Sequence, residues 1–311
     1  MKFIAYTFKG LEEITAREIK GKKINEKRIL FSKKKNFIGS AVFSYELVRE
    51  IKYNDLKDLI NKIKKIKISI KGKFSVDCNK DDNDKLNSQE TRAKIGEIFH
   101  NRNYKVDLEN PRTIIFIDIN KNTCFLGKNP VYYKRNYKVR SSRDSINSVV
   151  GYSLLKIADY NKKEILVDPF CSDGVILIEA GLLGGKKLYG FNEDIKNARI
   201  NAKVAKVKIE FSTNTVDWLD TVFKKESVDK IITKTPFVSK TKSEEYVNKT
   251  IKEFFYQASY ILKKNGLIVT LSPKTELLEK YSEEYKFKRE KETEVRVGDI
   301  NYKIHSFKRS L

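Results

Sequence analysis

The stretch Ile165 to Ala180, Ile-Leu-Val-Asp-Pro-Phe-Cys-Ser-Asp-Gly-Val-Ile-Leu-Ile-Glu-Ala, has the residue types and spacing to hold a polar ligand. An apolar run ends in Asp168, passes through a small-residue turn containing Gly174, and opens a strongly apolar helix. A buried parallel strand followed by a tight turn and a helix N-terminus offers backbone N–H groups to a ligand. The pattern is not the dinucleotide fingerprint, because G-x-G-x-x-G is absent. A second candidate is Tyr132 to Arg143, with five basic residues and three tyrosines in twelve positions. Such a segment can pair with phosphate and stack on bases. A solvated inter-domain linker would carry the same charge, so both readings stand. No P-loop, catalytic triad or zinc pattern occurs. His100 and His305 are too distant to suggest a metal or an acid–base pair, and no metal is expected. Cys78, Cys124 and Cys171 are odd in number and far apart, which argues against a disulfide framework and favours small buried hydrophobes.

The elements that must position these residues fit within 311 residues, enough for two or three domains with their own cores. Apolar content of 40% with 18 Phe and 16 Tyr is that of a folded chain. No run of about 18 apolar residues exists and the N-terminus lacks a signal-peptide pattern, so a cytoplasmic, non-membrane protein is expected. The net charge is +23. The first 150 residues carry 34 basic and 18 acidic side chains, the remainder 30 and 23. An excess of that sign attracts polyanions, nucleic acid foremost. Abundant Ile, Asn and Lys also fit a biased genome composition, which would enrich lysine without a partner.

Along the chain, residues 1–65 read as a small α/β unit. Lys2 to Phe8 alternates like a strand, and apolar positions 11, 14, 16 and 19 suit one helix face. Ile29–Phe31 and Phe37–Phe43 read as strands, and Tyr45–Ile51 and Asn54–Ile66 as helices. From Lys67 to Phe125, strands are expected at 68–70, 74–76, 104–108, 113–119 and 123–126, with a helix capped by Asn87 or Ser88. Ile146–Ala158 reads as a helix leading into alternating strands and helices. The chain ends in two alternating runs, 286–297 and 300–308, across Gly298-Asp299, a hairpin signal.

The 165–180 stretch resembles the first motif of S-adenosylmethionine-dependent methyltransferases, in the form found in THUMP-domain RNA methyltransferases, with Ser172 and Asp173 where that family has Gly and Ser. The resemblance widens through Gly10-Leu11-Glu12 with its helix. It continues through Ser88, Arg92, Gly96, Val106-Asp107-Leu108 and Asn110-Pro111-Arg112-Thr113. Arg135-Asn136-Tyr137-Lys138 matches an R-x-Y-R-like element. The implied fold class is α/β, with N-terminal ferredoxin-like and THUMP modules (α+β) before a Rossmann-fold methyltransferase domain. The implied boundaries are 1–65 for the ferredoxin-like module, 66–130 for THUMP, 131–150 for a basic linker and lead-in helix, and 151–311 for the catalytic domain.

The resemblance, which is to the archaeal tRNA guanine-N2 methyltransferase branch, also implies roles. S-adenosylmethionine is the implied cofactor, with Asp168, Phe170, Ser172 and Gly174 at its first motif. Asn192 stands where an acid meets the ribose hydroxyls, and Asp217 where a polar group meets the adenine amine. The implied partner is tRNA, gripped at its acceptor end and methylated at a stem guanine. Arg112, Lys134, Arg135, Tyr137, Lys138 and Arg140 are the expected RNA contacts. The fourth motif, [D/N]-P-P-[F/Y] in the family, is here Lys234-Thr235-Pro236-Phe237. The family's Asn or Asp accepts the N–H bonds of the target amine while the aromatic ring stacks on the flipped base. A charged lysine has donors and no acceptor.

Three readings of Lys234 stand: a neutral, desolvated base; a lysine turned outward while Thr233, Thr235 or Ser239 accepts; or a site that has lost chemistry and kept RNA binding. The implied function is a tRNA guanine-N2 methyltransferase, with a non-catalytic RNA-binding paralogue as the alternative. Monomer and homodimer both remain open. A nucleoside-sized hollow is expected beside Asp168 at the carboxyl edge of the last sheet.

Overall fold

A computed structural model describes residues 1–81 and 84–310. The chain divides into two units, Met1–Tyr6 with Thr15–Tyr133, and Thr7–Ile14 with the residues from Lys134 onward.

The first unit is built on one seven-stranded sheet. Its elements are β1 Lys2–Tyr6, α1 Glu12–Ile19, β2 Lys22–Asn25, β3 Arg28–Phe31, β4 Phe43–Lys52, α2 Leu56–Ile63, β5 Phe74–Lys80, α3 Ser88–His100, β6 Thr113–Asn120 and β7 Thr123–Tyr132. Strand order is β2-β3-β1-β4-β7-β6-β5, so residues assigned from sequence to two modules contribute to one sheet. The two halves join along β4, which pairs antiparallel with both β1 and β7. The segment 45–51, expected to be helical, lies within this strand. Register shifts at Ser44/Glu46 and Leu47/Arg49 interrupt its period of two. Tyr45, Val48 and Ile51 are thereby spaced like one face of a helix. Residues 68–70 form no strand, 104–108 contributes only the Phe74↔Val106 bridge, and the strand expected from 37 begins at Phe43. Fully buried Arg28 binds Asp118 through two hydrogen bonds, Nε–Oδ2 at 2.8 Å and Nη2–Oδ1 at 2.6 Å. Tyr45 and Asn79 also donate to that carboxylate, so the buried charge has several partners.

The second unit contains α4 Ser148–Ile157, β8 Ile165–Asp168, α5 Val175–Leu182, β9 Lys187–Phe191, α6 Lys196–Ala205, β10 Glu210–Ser212, α7 Leu219–Val222, β11 Val228–Lys234, α8 Glu244–Ile261, β12 Leu262–Ser272, α9 Glu276–Glu284, β13 Phe287–Val297 and β14 Ile300–Arg309. The sheet order is β10-β9-β8-β11-β12-β14-β13. The first five of these strands run parallel, and β14 is antiparallel to both β12 and β13. Val297 pairs with Ile300 across Gly298-Asp299, as the hairpin signal predicts. Strand order reverses between β8 and β11, and ligands of open α/β sheets bind at the carboxyl ends of strands beside such a switch. Phe254, Phe255 and Phe307 are fully buried behind this edge, each contributing roughly 1.5–3 kcal/mol by leaving water. Among the described residues no helix is long and apolar enough to cross a membrane. All three cysteines are free; Cys124 and Cys171 are buried and Cys78 is half-buried.

Candidate functional site

Two sequence-predicted motifs meet where β8 and β11 end side by side. Thr233 Oγ1 donates to Asp168 Oδ1 at 2.6 Å, and the Phe170 N–H donates to the same oxygen at 3.2 Å. Burial pushes the Asp168 carboxyl up to about 7, against the lowering effect of those two bonds; nearby Asp173 adds to the rise. Asp168 therefore titrates near neutrality.

The turn after Asp168 uses two residues in the left-handed region. Gly174 has φ +81°, and a Cβ there would approach Ala198 Cβ to 3.2 Å while α6 packs against the turn. Ser172 has φ +51°. Serine here therefore holds a left-handed conformation at the position where the resembled motif has glycine. A left-handed non-glycine residue costs roughly 1–2 kcal/mol. The Ser172 hydroxyl is hydrogen-bonded to that of Ser142. In a Ser142→Ala background, which removes that bond, Ser172→Gly is expected to raise unfolding free energy by about 1 kcal/mol in denaturant titrations. A decrease would show that the turn does not carry this cost.

Asp168, Phe170, Ser172, Asp173 and Lys234 line one hollow, together with Asp144 and Ile146. Its free volume is about 10 Å³, far below the nucleoside-sized space expected from sequence. The reason is the connector, which reaches over this edge. Ser142 meets Ser172, and the Asp144 carbonyl accepts from Lys234 Nζ at 3.2 Å. A larger hollow of about 340 Å³ opens further along the same edge, lined by Pro236, Phe237, Val247, Ile251 and Leu278. Phe170 is half-buried, with its ring centroid 5.8 Å from that of Phe254.

Lys234 is not turned outward, which corrects one of its three readings. Its Nζ stands 5.7 Å from the ring centroids of both Phe237 and Tyr302. Burial lowers its pKa, Asp144 and Asp173 oppose that, and Lys242 and Lys138 reinforce it. Thr235 is buried, and its Oγ1 finds no hydrogen-bond partner among the described residues; the same is true of Asp173 Oδ2. Asp173 shares the small hollow with Lys234, and its unmatched Oδ2 suits a ligand with a polar group, because a buried polar atom left unmatched costs free energy.

Asn192 and Asp217 follow the carboxyl ends of β9 and β10, at the same sheet edge, but do not line the small hollow. The Asn192 amide donates to the Asp194 carbonyl at 2.9 Å, closing a local turn. Asp217 is exposed and accepts from the Thr215 hydroxyl, beside half-exposed Trp218.

The connector residues divide in a way the sequence does not show. Arg135 Nε donates to buried Glu179 on α5 at 3.1 Å, and the Tyr137 hydroxyl donates to the same oxygen at 2.7 Å. Lys138 Nζ donates to the Ile146 carbonyl and lies 3.9 Å from Asp173. Arg135, Tyr137 and Lys138 are thus committed to internal contacts, which corrects their expected place on an RNA surface. The side chains of Lys134 and Arg140 are exposed, and so, in the first unit, is Arg112. Fully buried Asn201 on α6 holds Arg140 by both its N–H and its carbonyl, and donates to the Asp173 carbonyl at 3.1 Å.

Glu179, Asn201 and Asp144 escape the sequence reading. A lone acid inside the apolar run Val175–Ala180 is the one signal that could have marked Glu179, since such a charge needs a buried partner. His305 is buried with Nε2 2.8 Å from Glu292. Glu279 joins them within 4.8 Å, and Arg289 binds both carboxylates.

A Rossmann-type sheet with a reversed last strand, carrying an acid after its first strand and a Pro-Phe turn after its fourth, defines a methyltransferase-like domain. The profile described as RMKL-like, methyltransferase domain (UPF0020) matches residues 135–303, and the THUMP domain profile matches residues 52–128. The chain belongs to the RMKL-like methyltransferase family and carries a THUMP domain before it.

Among curated proteins, the U6 snRNA (guanine-N(2))-methyltransferase THUMPD2 of Homo sapiens is 26% identical over 190 residues, covering 59% of this chain and 37% of its own length. The tRNA (guanine(6)-N2)-methyltransferase of Archaeoglobus fulgidus is 27% identical over 210 residues, covering 59% and 54%. The matches thus span about half or less of these relatives. The crystal structure of TrmN from Thermus thermophilus superposes with a TM-score of 0.81 at 19% identity, covering 99% of both chains. SMU.472 complexed with SAH gives 0.78 at 15% identity, covering 100% of this chain and 98% of the other. These likenesses establish the fold over the whole chain.

Proposed function

We propose that this protein is an S-adenosylmethionine-dependent RNA methyltransferase acting on the exocyclic amine of a guanine in tRNA. The observation that carries this reading is the Thr233–Asp168 hydrogen bond. It locks the expected cofactor motif to the strand that delivers Lys234-Thr235-Pro236-Phe237. The named activities of the guanine-N2 methyltransferase relatives support it. S-Adenosylmethionine, when bound, supplies an electrophilic methyl group on a sulfonium.

The residues placed to hold it are Asp168 and the 170–174 turn, with Asn192 and Asp217 toward the nucleoside. Phe237 offers its ring to a flipped base. The Thr235 hydroxyl is an acceptor for an amine N–H where Lys234 has replaced the family's Asn or Asp. Burial lowers the Lys234 pKa, the direction that a nitrogen acceptor at this position would need. The non-catalytic alternative has less support, because the relatives matched are named as guanine-N2 methyltransferases.

Calorimetry tests the cofactor assignment: micromolar binding of S-adenosylmethionine and S-adenosylhomocysteine is expected. Asp168→Ala should weaken both at least tenfold, and no heat with the unaltered protein would reject the reading. RNA is the proposed partner on the strength of the +23 net charge and the THUMP match. The double variant Lys134→Ala/Arg140→Ala should reduce the slope of log affinity against log salt for tRNA by about 1–2, since each phosphate contact contributes about 0.7–0.9. An unchanged slope would remove the connector from the RNA surface.

A further inference from the structure

The aromatic ring that follows β11 has a counterpart on another strand. Lys234 Nζ lies over the face of the Phe237 ring and over that of Tyr302, 5.7 Å from each centroid. Two ring faces therefore look onto one space. Both residues are half-buried, so part of each ring stays uncovered. A flat face that attracts a cation also stacks on a nucleobase.

Both rings are carried by backbone anchored at one residue. The Thr235 N–H donates to the Leu271 carbonyl at 3.2 Å, and Leu271 pairs with Ile304 of β14. Phe237 lies two residues beyond the first of these links, and Tyr302 two residues before the second. Ser272↔Lys303 closes the pairing of β12 with β14, so Tyr302 stands past the carboxyl end of β12, at the edge where β8 and β11 also end. Its partner on β13 is Val295, and the adjacent Arg296 N–H donates to the Lys9 carbonyl at 3.1 Å, which braces the hairpin. Lys234 is the yielding member of the group. Its Nζ donates to the Asp144 carbonyl at 3.2 Å, and its stem is flexible. Lys234 also lines the small hollow beside Asp168, so the space between the rings adjoins the turn after that residue.

We propose that Tyr302 is the second wall of the target-base site and holds the flipped purine between its own ring and that of Phe237; this rests on the guanine-amine reading above. The base takes the space that the Lys234 head fills, and the lysine moves to the edge of the base. An amine on that edge then faces the turn after Asp168. One ring supports a base from one side only. The second removes its freedom to tilt, and methyl transfer depends on that alignment.

Two measurements on the full chain test this. Transcripts of tRNA carrying 6-thioguanosine in place of part of their guanosine, irradiated with the unaltered protein and S-adenosylhomocysteine, should cross-link to Tyr302. Cross-links confined to other residues would overturn the proposal. In the second measurement, Tyr302→Leu should lower kcat for methyl transfer to unmodified tRNA transcripts roughly tenfold to a hundredfold, the loss expected for one stacking face, and Tyr302→Phe should restore it. Affinity for whole tRNA should stay within about twofold, because phosphate contacts supply most of it. Equal losses in the leucine and phenylalanine variants, or unchanged kcat in both, would overturn the proposal and leave the methyltransferase reading in place. The cross-link needs no variant, so it decides the matter if the leucine protein does not fold. Absence of methyl transfer by the unaltered protein would overturn the guanine-amine reading and this proposal with it.

Discussion

At pH 8 the Asp168→Asn variant is expected to be up to about 4 kcal/mol more stable to urea than the unaltered protein, and equal to it near pH 4. The folded pKa of Asp168 is raised by burial to about 7, whereas an unfolded aspartate titrates near 3.9. Between those values the folded state holds a proton that the unfolded state has lost. Unfolding free energy therefore falls as pH rises from about 4 to about 7, at about 1.4 kcal/mol per unit. Asparagine stays neutral throughout and abolishes that fall. Other carboxylates contribute equally to both proteins, so the difference between the two curves isolates Asp168. Parallel curves would show that the folded pKa is not raised. The stabilised variant should also lose cofactor affinity, because a cationic ligand favours the carboxylate that asparagine lacks. Stability and function then oppose each other at one side chain.

Arg135→Ala is expected to destabilise the second unit by about 3–5 kcal/mol, the usual cost of leaving one partner of a buried ion pair alone. Arg135 and Glu179 have side-chain exposures of 6% and 2%, and Tyr137 also donates to Glu179. The protein's single tryptophan, Trp218, belongs to the second unit, so its fluorescence follows that unit through denaturation. Replacing both partners by apolar residues, as in Arg135→Met/Glu179→Leu, should recover most of the loss, because no charge is then stranded. If Arg135→Ala instead weakens tRNA binding and leaves the denaturation midpoint unchanged, Arg135 faces RNA and the ion pair is unimportant.

Much of this protein is legible in its residues because local chemistry decides it. The turn after Asp168 needs small residues, and the last hairpin needs Gly298-Asp299. The parallel strands of the second unit read as apolar runs because both their faces are covered. The strand β4 is legible only in part. Its two register shifts make apolar spacing look helical, and pairing with β1 and β7 overrides that local pattern.

The connector shows the sharper limit. Basic and aromatic residues between two domains have the composition of an RNA-binding segment, and composition cannot tell which of them turn inward. Glu179 on α5 and Asp173 in the first-motif turn are far from the connector in sequence, and only folding brings them beneath it.

The amino-acid order by itself determined the sheet-and-helix succession of the second unit, the two motifs at its carboxyl edge and the excess of positive charge. These follow from periodicity, turn chemistry and counting, which need no distant partner. The tertiary structure alone decided that Lys234 faces inward, that Ser172 is left-handed, and that the connector fills the hollow beside Asp168. Each of those outcomes depends on which remote groups share a buried space, and burial is a property of the assembled chain.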